Sequence, residues 1–228
     1  MHIHQKRIVT VFAKEPVAGR VKTRLTPEFS AEEAAILAAA MLADTLEKLA
    51  AEDEFETRLA IAPAEAAERM RGLDSRVEVS AQEGAGLGER MACEFEAGFE
   101  RGLADSLIIV GSDAPHIPVQ RIHEAFKVLA AGARVVLGPD EGGGYYLVGM
   151  RGGAVPELFT EIEMSTSDMC AQTVALAKER GLKVELLAAE YDLDRPTDLA
   201  RLERELAQSD SNSLYTPRRL AALLRTLR

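Results

Sequence analysis

The chain contains no tryptophan, and aromatic residues make up only 5% of its 228 positions. That scarcity argues against a stacking platform for single-stranded nucleic acid, which needs exposed rings. Cysteine is equally sparse. Cys93 and Cys170 lie far apart, match no zinc-ligand spacing and are too few for a disulfide framework, which points to a reducing cytoplasm. Cations are outnumbered, with 27 Lys and Arg against 37 Asp and Glu. The resulting net charge of −10 and pI near 5.0 argue against general binding to nucleic acid or to anionic membranes. No apolar stretch approaches a membrane span, and the polar start MHIHQKR lacks the apolar centre of a signal peptide. His2 and His4 in that segment read as fraying terminal residues.

What the chain does have is enough apolar sequence, 47%, for a sizeable core, and a regular alternation of strand-like and helix-like segments. Strands are expected at Arg7–Phe12, Thr57–Ile61, Arg76–Ser80, Leu107–Val110, Arg134–Leu137, Tyr145–Val148 and Lys183–Leu187. A long helix is expected over Ala31–Ala51, capped by Ser30, with Ile36, Leu37, Met41, Leu42, Thr45, Leu46 and Leu49 on its apolar face. Shorter helices fit Ala64–Arg71, Leu87–Arg101, Val119–Ala131, Ser167–Arg180 (stopped by Gly181) and Thr197–Ala207. The order predicts an α/β fold with a mainly parallel sheet and helices on both faces. The main domain is read as residues 1–208. Residues 209–228 supply a polar linker (QSDSNS begins at Gln208) and an amphipathic helix from Tyr215 to Arg228, which packs on the domain or joins two copies in a homodimer.

The segment RIVTVFAKEPVAGRVKTRL, residues 7–25, carries the most information. Its apolar run stops at Ala13-Lys14, and a loop with Pro16 and Gly19 then delivers Arg20, Lys22 and Arg24. Four cations against the single acid Glu15, at the end of the first strand of an acidic protein, make a docking place for phosphate. A solvated basic loop is the plain alternative. The loop is not a Walker A motif, because Val21 and not glycine precedes Lys22-Thr23. Gly84-Ala85-Gly86-Leu87-Gly88 is not a dinucleotide fingerprint, because Glu89 stands where the third glycine belongs. No serine-nucleophile elbow or histidine triad is present.

Carboxylates form a second group. Asp113, in Gly111-Ser112-Asp113-Ala114-Pro115, falls just past a buried strand, where it either caps a turn or holds a divalent metal. Asp192 and Asp194 project from one face of an extended segment ahead of Pro196, and their repulsion calls for a cation or for donors. Two solvated acids before a helix is the simpler reading of that pair alone. The glycines at 142–144 allow close backbone approach before Tyr145-Tyr146, and Ser165 and Thr166 precede a helix that they could cap or whose free N–H groups could bind an anion.

Taken in order, FAKEPVAGRVKTRL, LGERM, GSDAPHIP, GPDEGGGYYLVG, STSDM and YDLDRPTDL resemble the bacterial DUF2064 family of glycosyltransferase-like, or nucleotide-diphospho-sugar transferase-like, proteins. More distantly they resemble the 2-phospho-lactate and molybdenum-cofactor guanylyltransferases. The resemblance implies a GT-A type three-layer α/β sandwich. It implies a cytoplasmic, metal-dependent transferase using a nucleoside triphosphate or nucleotide-sugar donor and a small-molecule acceptor. Glycosyl transfer is the first expectation, nucleotidyl transfer with pyrophosphate release the alternative, and a non-catalytic nucleotide-binding module the third. Asp113 and Lys22 would be catalytic. Ala13, Lys14, Gly19, Arg20, Lys22, Thr23, Arg24, Leu87, Gly88 and Arg90 would bind nucleotide and phosphate. Gly143, Gly144, Tyr145, Ser165 and Thr166 would meet the acceptor, and Asp113, Asp192 and Asp194 would hold magnesium or manganese. The chain departs from the family pattern at Gly142 and Gly86, where aspartates are usual, and at Met164, where tryptophan is usual.

Overall fold

The computed structural model of the protein describes residues 5–208 and 217–227. His2, His4, the linker after Gln208 and the first residues expected of the last helix lie outside the described residues. The strands are β1 (Arg7–Lys14), β2 (Glu56–Ala62), β3 (Glu78–Ala81), β4 (Ser106–Gly111), β5 (Val135–Pro139), β6 (Tyr145–Arg151) and β7 (Val184–Leu186). The helices are α1 (Ala31–Leu49), α2 (Ala66–Met70), α3 (Leu87–Glu100), α4 (Gln120–Ala130), α5 (Glu157–Thr160), α6 (Met169–Glu179), α7 (Pro196–Gln208) and α8 (Arg218–Leu227). Every expected strand and helix is present. The additions are α5 and a single 3-10 turn at Thr23–Leu25.

The seven strands form one sheet in the order β3-β2-β1-β4-β6-β5-β7. All neighbours run parallel except β6, which is antiparallel to both β4 and β5. The reversal has a local cause. Only the glycine loop separates β5 from β6, and a parallel partner would need a crossover of a dozen residues or more.

Alternation along the strands divides the core into two layers. Val9, Val11, Ile108 and Val110 face α1 and α4, while Ile8, Leu107 and Ile109 face α3, α5 and α6. Helix α1 begins with a reciprocal capping box, in which Ser30 Oγ accepts from Glu33 N–H and Glu33 accepts from Ser30 N–H. One residue assigned to its apolar face is misplaced: Ile36 is 48% exposed, because the buried stripe runs through Ala34, Leu37, Met41 and Leu42.

A third apolar cluster joins α1 to α7 and α8 through Leu37, Met41, Leu199, Leu202, Leu220 and Leu224. The apolar face of the last helix is therefore used within the protomer. Its entry is fixed by Asp44 of α1. This fully buried carboxylate accepts hydrogen bonds from the backbone N–H groups of Arg219 (3.2 Å) and Leu220 (3.0 Å). No helix among the described residues is long and apolar enough to cross a membrane.

Candidate active site

β1 and β4 are adjacent and parallel, so the loops leaving their carboxyl ends lie side by side. Between them opens a cleft of about 570 Å³. The β1 loop enters it through residues 20–24, the β4 loop through Gly111–Asp113, and the segment before α7 through Asp192 and Asp194. A backbone bond from Leu193 N–H to Asp113 O (3.0 Å) clamps the last two together, with Tyr191 and Leu193 anchored in the core on either side of Asp192.

Lys22 is the centre of the arrangement. Its side chain is only 5% exposed, and its Nζ lies 3.0 Å from Asp113 Oδ1 and 2.7 Å from Asp194 Oδ1. Lys22 also adopts φ 48°, a left-handed conformation that costs free energy in a non-glycine residue and is concentrated at functional loops. Burial by itself would lower the lysine pKa, but the pull of Asp113 and Asp194 prevails and holds it above the ordinary value. Asp194 shows the mirror effect: burial would raise it, but Lys22 and then Arg24 draw it below the ordinary carboxylate range. Asp192 makes no ion pair among the described residues, and the pull of Lys22 on it is outweighed. Burial, followed by the charges of Asp113 and Asp140, pushes it up to about 7.

The expected metal set therefore does not appear as a metal site. Among the described residues no group of three or more His, Cys, Asp or Glu side chains is arranged to hold a metal ion. The space between Asp113 and Asp194 is taken by an ammonium group, and the donor set as it stands fits that cation.

Of the other expected residues, Ala13, Lys14, Arg20, Thr23, Arg24, Leu87, Arg90, Tyr145 and Ser165 line the cleft. Lys14 and Arg20 are exposed and make no ion pair among the described residues. Leu87, 40% exposed at the start of α3, presents an apolar surface to the opening. Ser165, like Lys22, has a left-handed backbone, at φ 64°.

Gly19, Gly88, Gly143, Gly144 and Thr166 do not line it. Gly88 is buried against α5, where a Cβ would come within 2.2 Å of Phe159 O, so this glycine serves close packing of α3. Gly143, at φ 90°, allows the loop to pass the backbone of Ser167. Thr166 donates its hydroxyl to Glu163 O. Gly142 leaves the loop without the usual aspartate, and Asp140 stabilises it instead by accepting from Gly144 N–H at 3.0 Å.

Three contributors were not anticipated. Gln82, at the end of β3, lines the cleft and donates its amide protons to Ala13 O and Ala60 O, tying β3 to the start of the cationic loop. Lys48 is buried beneath the β4 loop and donates to Pro115 O and Ile117 O, and burial lowers its pKa to about 7. His116 is also buried, with its ring 4.3 Å from that of Tyr191. Burial lowers its pKa to about 4, keeping the imidazole neutral. Lys48 carried no signal in the sequence, because its position in α1 reads equally well as solvent-facing.

A mainly parallel sheet with these loops at its carboxyl edge has the fold of the nucleotide-diphospho-sugar transferases. Comparison with known proteins agrees. The model of the DUF2064 family, described as "Uncharacterized protein conserved in bacteria", matches residues 45–166, and the chain belongs to this family. It is 30% identical over 188 residues to a 3-phospho-D-glycerate guanylyltransferase of Phenylobacterium zucineum (strain HLK1), covering 80% of this chain and 84% of that one. A crystal structure from Desulfovibrio desulfuricans G20, provisionally assigned as a nucleotide-diphospho-sugar transferase, superposes with a TM-score of 0.85 at 29% identity. It covers 98% of both chains. A cytidylyltransferase from Leptospira borgpetersenii serovar Hardjo-bovis (strain JB197) shares the fold alone, with a TM-score of 0.57, 12% identity, and 98% and 95% coverage.

Proposed function

We propose that the protein is a nucleotidyltransferase, joining the nucleotide part of a nucleoside triphosphate to a small acidic acceptor and releasing pyrophosphate. The observation that carries this reading is Lys22, held in the cleft by Asp113 and Asp194 with Lys14 and Arg20 exposed beside it. So many cations at one loop match the charge of a triphosphate better than that of a diphosphate. The guanylyltransferase relative supports the same choice, and its named substrate, 3-phospho-D-glycerate, makes a phosphorylated carboxylic acid the first acceptor to test.

In the proposed reaction an acceptor oxygen attacks the α-phosphorus, and the bond from that phosphorus to the oxygen bridging it to the β-phosphate breaks. The electron pair leaves with pyrophosphate; an ionised acceptor oxygen attacks without losing a proton, whereas an acceptor hydroxyl passes its proton to a base. Asp192, with its pKa near 7, is the carboxylate in the cleft suited to receive it. Lys22 and its neighbouring cations offset the charge that develops on the leaving group. Leu87 and Arg90 would flank the nucleoside, and Tyr145 and Ser165 the acceptor. Magnesium or manganese, if bound, would be held by Asp113 and Asp194 with Lys22 moved aside, and would offset charge on the phosphates.

Glycosyl transfer is the second reading, favoured by the Desulfovibrio relative. Incubation with nucleoside triphosphates and sugar nucleotides, with and without 3-phospho-D-glycerate and related acids, separates the two. Acceptor-dependent pyrophosphate release supports nucleotidyl transfer, and release of a nucleoside diphosphate from a sugar nucleotide supports glycosyl transfer. If no nucleotide binds, both readings fall. Asp113→Asn should abolish turnover, and unchanged turnover would remove Asp113 from the mechanism.

A further inference from the structure

Arg201, on α7, does not line the cleft, yet its side chain joins two of the segments that do the lining. The guanidinium lies 3.8 Å over the ring of Tyr191. Its Nη1 donates to the two carboxylate oxygens of Glu141 at 3.0 and 2.9 Å, and its Nε donates to Glu205 Oε1 at 2.9 Å. Glu205 also accepts from the Tyr191 hydroxyl at 2.6 Å, so arginine, tyrosine and carboxylate close a ring of contacts. The Tyr191 ring centre is in turn 4.3 Å from that of His116 in the β4 loop. Neither nitrogen of this buried imidazole has a hydrogen-bond partner among the described residues, so it supports Tyr191 by packing alone.

Each contact reaches a different wall of the cleft. Tyr191 directly precedes Asp192, and Leu193 N–H is bonded to Asp113 O. Glu141 opens the glycine loop between β5 and β6. The carbonyl of Gly143 in that loop accepts from Cys170 N–H at 3.0 Å, which holds the start of α6, and Tyr145 follows into the cleft. Three successive glycines give this loop no stiffness of their own, so its place depends on outside ties. The backbone bond from Glu141 N–H to Glu190 O (2.9 Å) is one such tie, and Arg201 is the other. Among the described residues, the hydrogen bonds and stacking of Arg201 reach neither the β1 loop nor α3.

An isolated pair as exposed as Arg201 (41%) and Glu141 (56%) contributes little to stability. The value of this one lies in geometry. A planar guanidinium stacks on a ring and binds two carboxylates at once, which a lysine ammonium cannot do.

We propose that Arg201 is a positioning residue for the acceptor: by holding Glu141 to Tyr191 it sets the distance between the glycine loop, with Tyr145 behind it, and the segment carrying Asp192. The proposal rests on the transferase reading, because it takes this side of the cleft to receive the acceptor.

The first test needs no activity. Hydrogen exchange read by mass spectrometry on the free full-length protein compares wild type with Arg201→Met. Exchange should quicken in residues 141–144 and 191–194 and stay unchanged in residues 14–25 and 87–91. Glu141→Gln, an exposed and nearly isosteric change, should give the same pattern and does not depend on the arginine variant folding. No change, or a uniform rise across the chain, overturns the proposal.

The second test is kinetic, with 3-phospho-D-glycerate as acceptor and the nucleoside triphosphate that binds wild type as donor. Arg201→Met should lower kcat/KM for the acceptor by about tenfold or more, with nucleotide affinity by calorimetry within about twofold of wild type. Arg201→Lys should not restore the loss. Combined with Glu141→Gln, the effects should be non-additive. An equal loss of nucleotide affinity, rescue by lysine, or strict additivity overturns the proposal. If wild type turns over no donor with any acid tested, the transferase reading falls, while the exchange comparison still decides whether Arg201 holds the two segments together.

Discussion

Asp192 offers the sharpest energetic test of the cleft. It titrates near pH 7 in the folded protein against an ordinary value of 3.8, because burial and the charges of Asp113 and Asp140 disfavour its anion. Between about pH 4 and pH 7 the folded protein retains a proton that the unfolded chain has released. Wild-type stability therefore falls as pH rises through that window and levels off above it. At about 1.4 kcal/mol per pH unit the full linkage is about 4 kcal/mol, an upper bound because water entering the open cleft screens part of it. Asp192→Asn keeps the shape and removes the charge. The variant should match wild type near pH 4 and exceed it by about 1–3 kcal/mol above pH 7.5, after that screening. Urea unfolding of both proteins at pH 4.5, 6 and 8 measures the gap. A gap that does not change with pH, or an asparagine variant less stable than wild type at pH 8, would refute the assignment of Asp192 as an uncompensated buried carboxylate. Stability gained by removing this group would mean that the fold gives up stability to keep a proton acceptor in the cleft.

Three further outcomes follow from particular contacts. Asp44→Ala removes the acceptor of two backbone N–H groups at the start of α8 and should cost about 2–4 kcal/mol in chemical denaturation, with loss of contacts between α8 and α1 seen by hydrogen exchange. Gly88→Ala drives a Cβ into Phe159 O and should cost about 1–3 kcal/mol, lowering the thermal midpoint while leaving residual nucleotide affinity per folded molecule little changed. Lys48→Met leaves Pro115 O and Ile117 O without their shared donor, so the loop carrying Asp113 should loosen and turnover should fall about tenfold or more with a smaller change in nucleotide affinity. Steady-state kinetics that show only a change in affinity would count against this positioning role.

The amino-acid sequence by itself determined the architecture, and for a physical reason. Alternating strands and amphipathic helices bury apolar faces only as a layered α/β sheet, and capping signals such as Ser30 and the stop at Gly181 are local interactions. It also placed the cationic loop and Asp113, because chain ends of adjacent strands fall at one edge of such a sheet. Ile36 went astray because helical periodicity is too coarse to choose between neighbouring faces of a helix packed on two sides.

Only the tertiary structure decided how those charges meet. Lys22 and Asp194 are 172 residues apart, and nothing in either segment alone indicates that the lysine lies between the carboxylates. The same holds for Lys48, whose burial under the β4 loop depends on how α1 packs, and for Gly88, whose value lies in the approach of α5. Composition and spacing fix which groups a chain has available. Their partners, their burial and hence their charge states are properties of distances that exist only once the sheet and its helices have closed around the cleft.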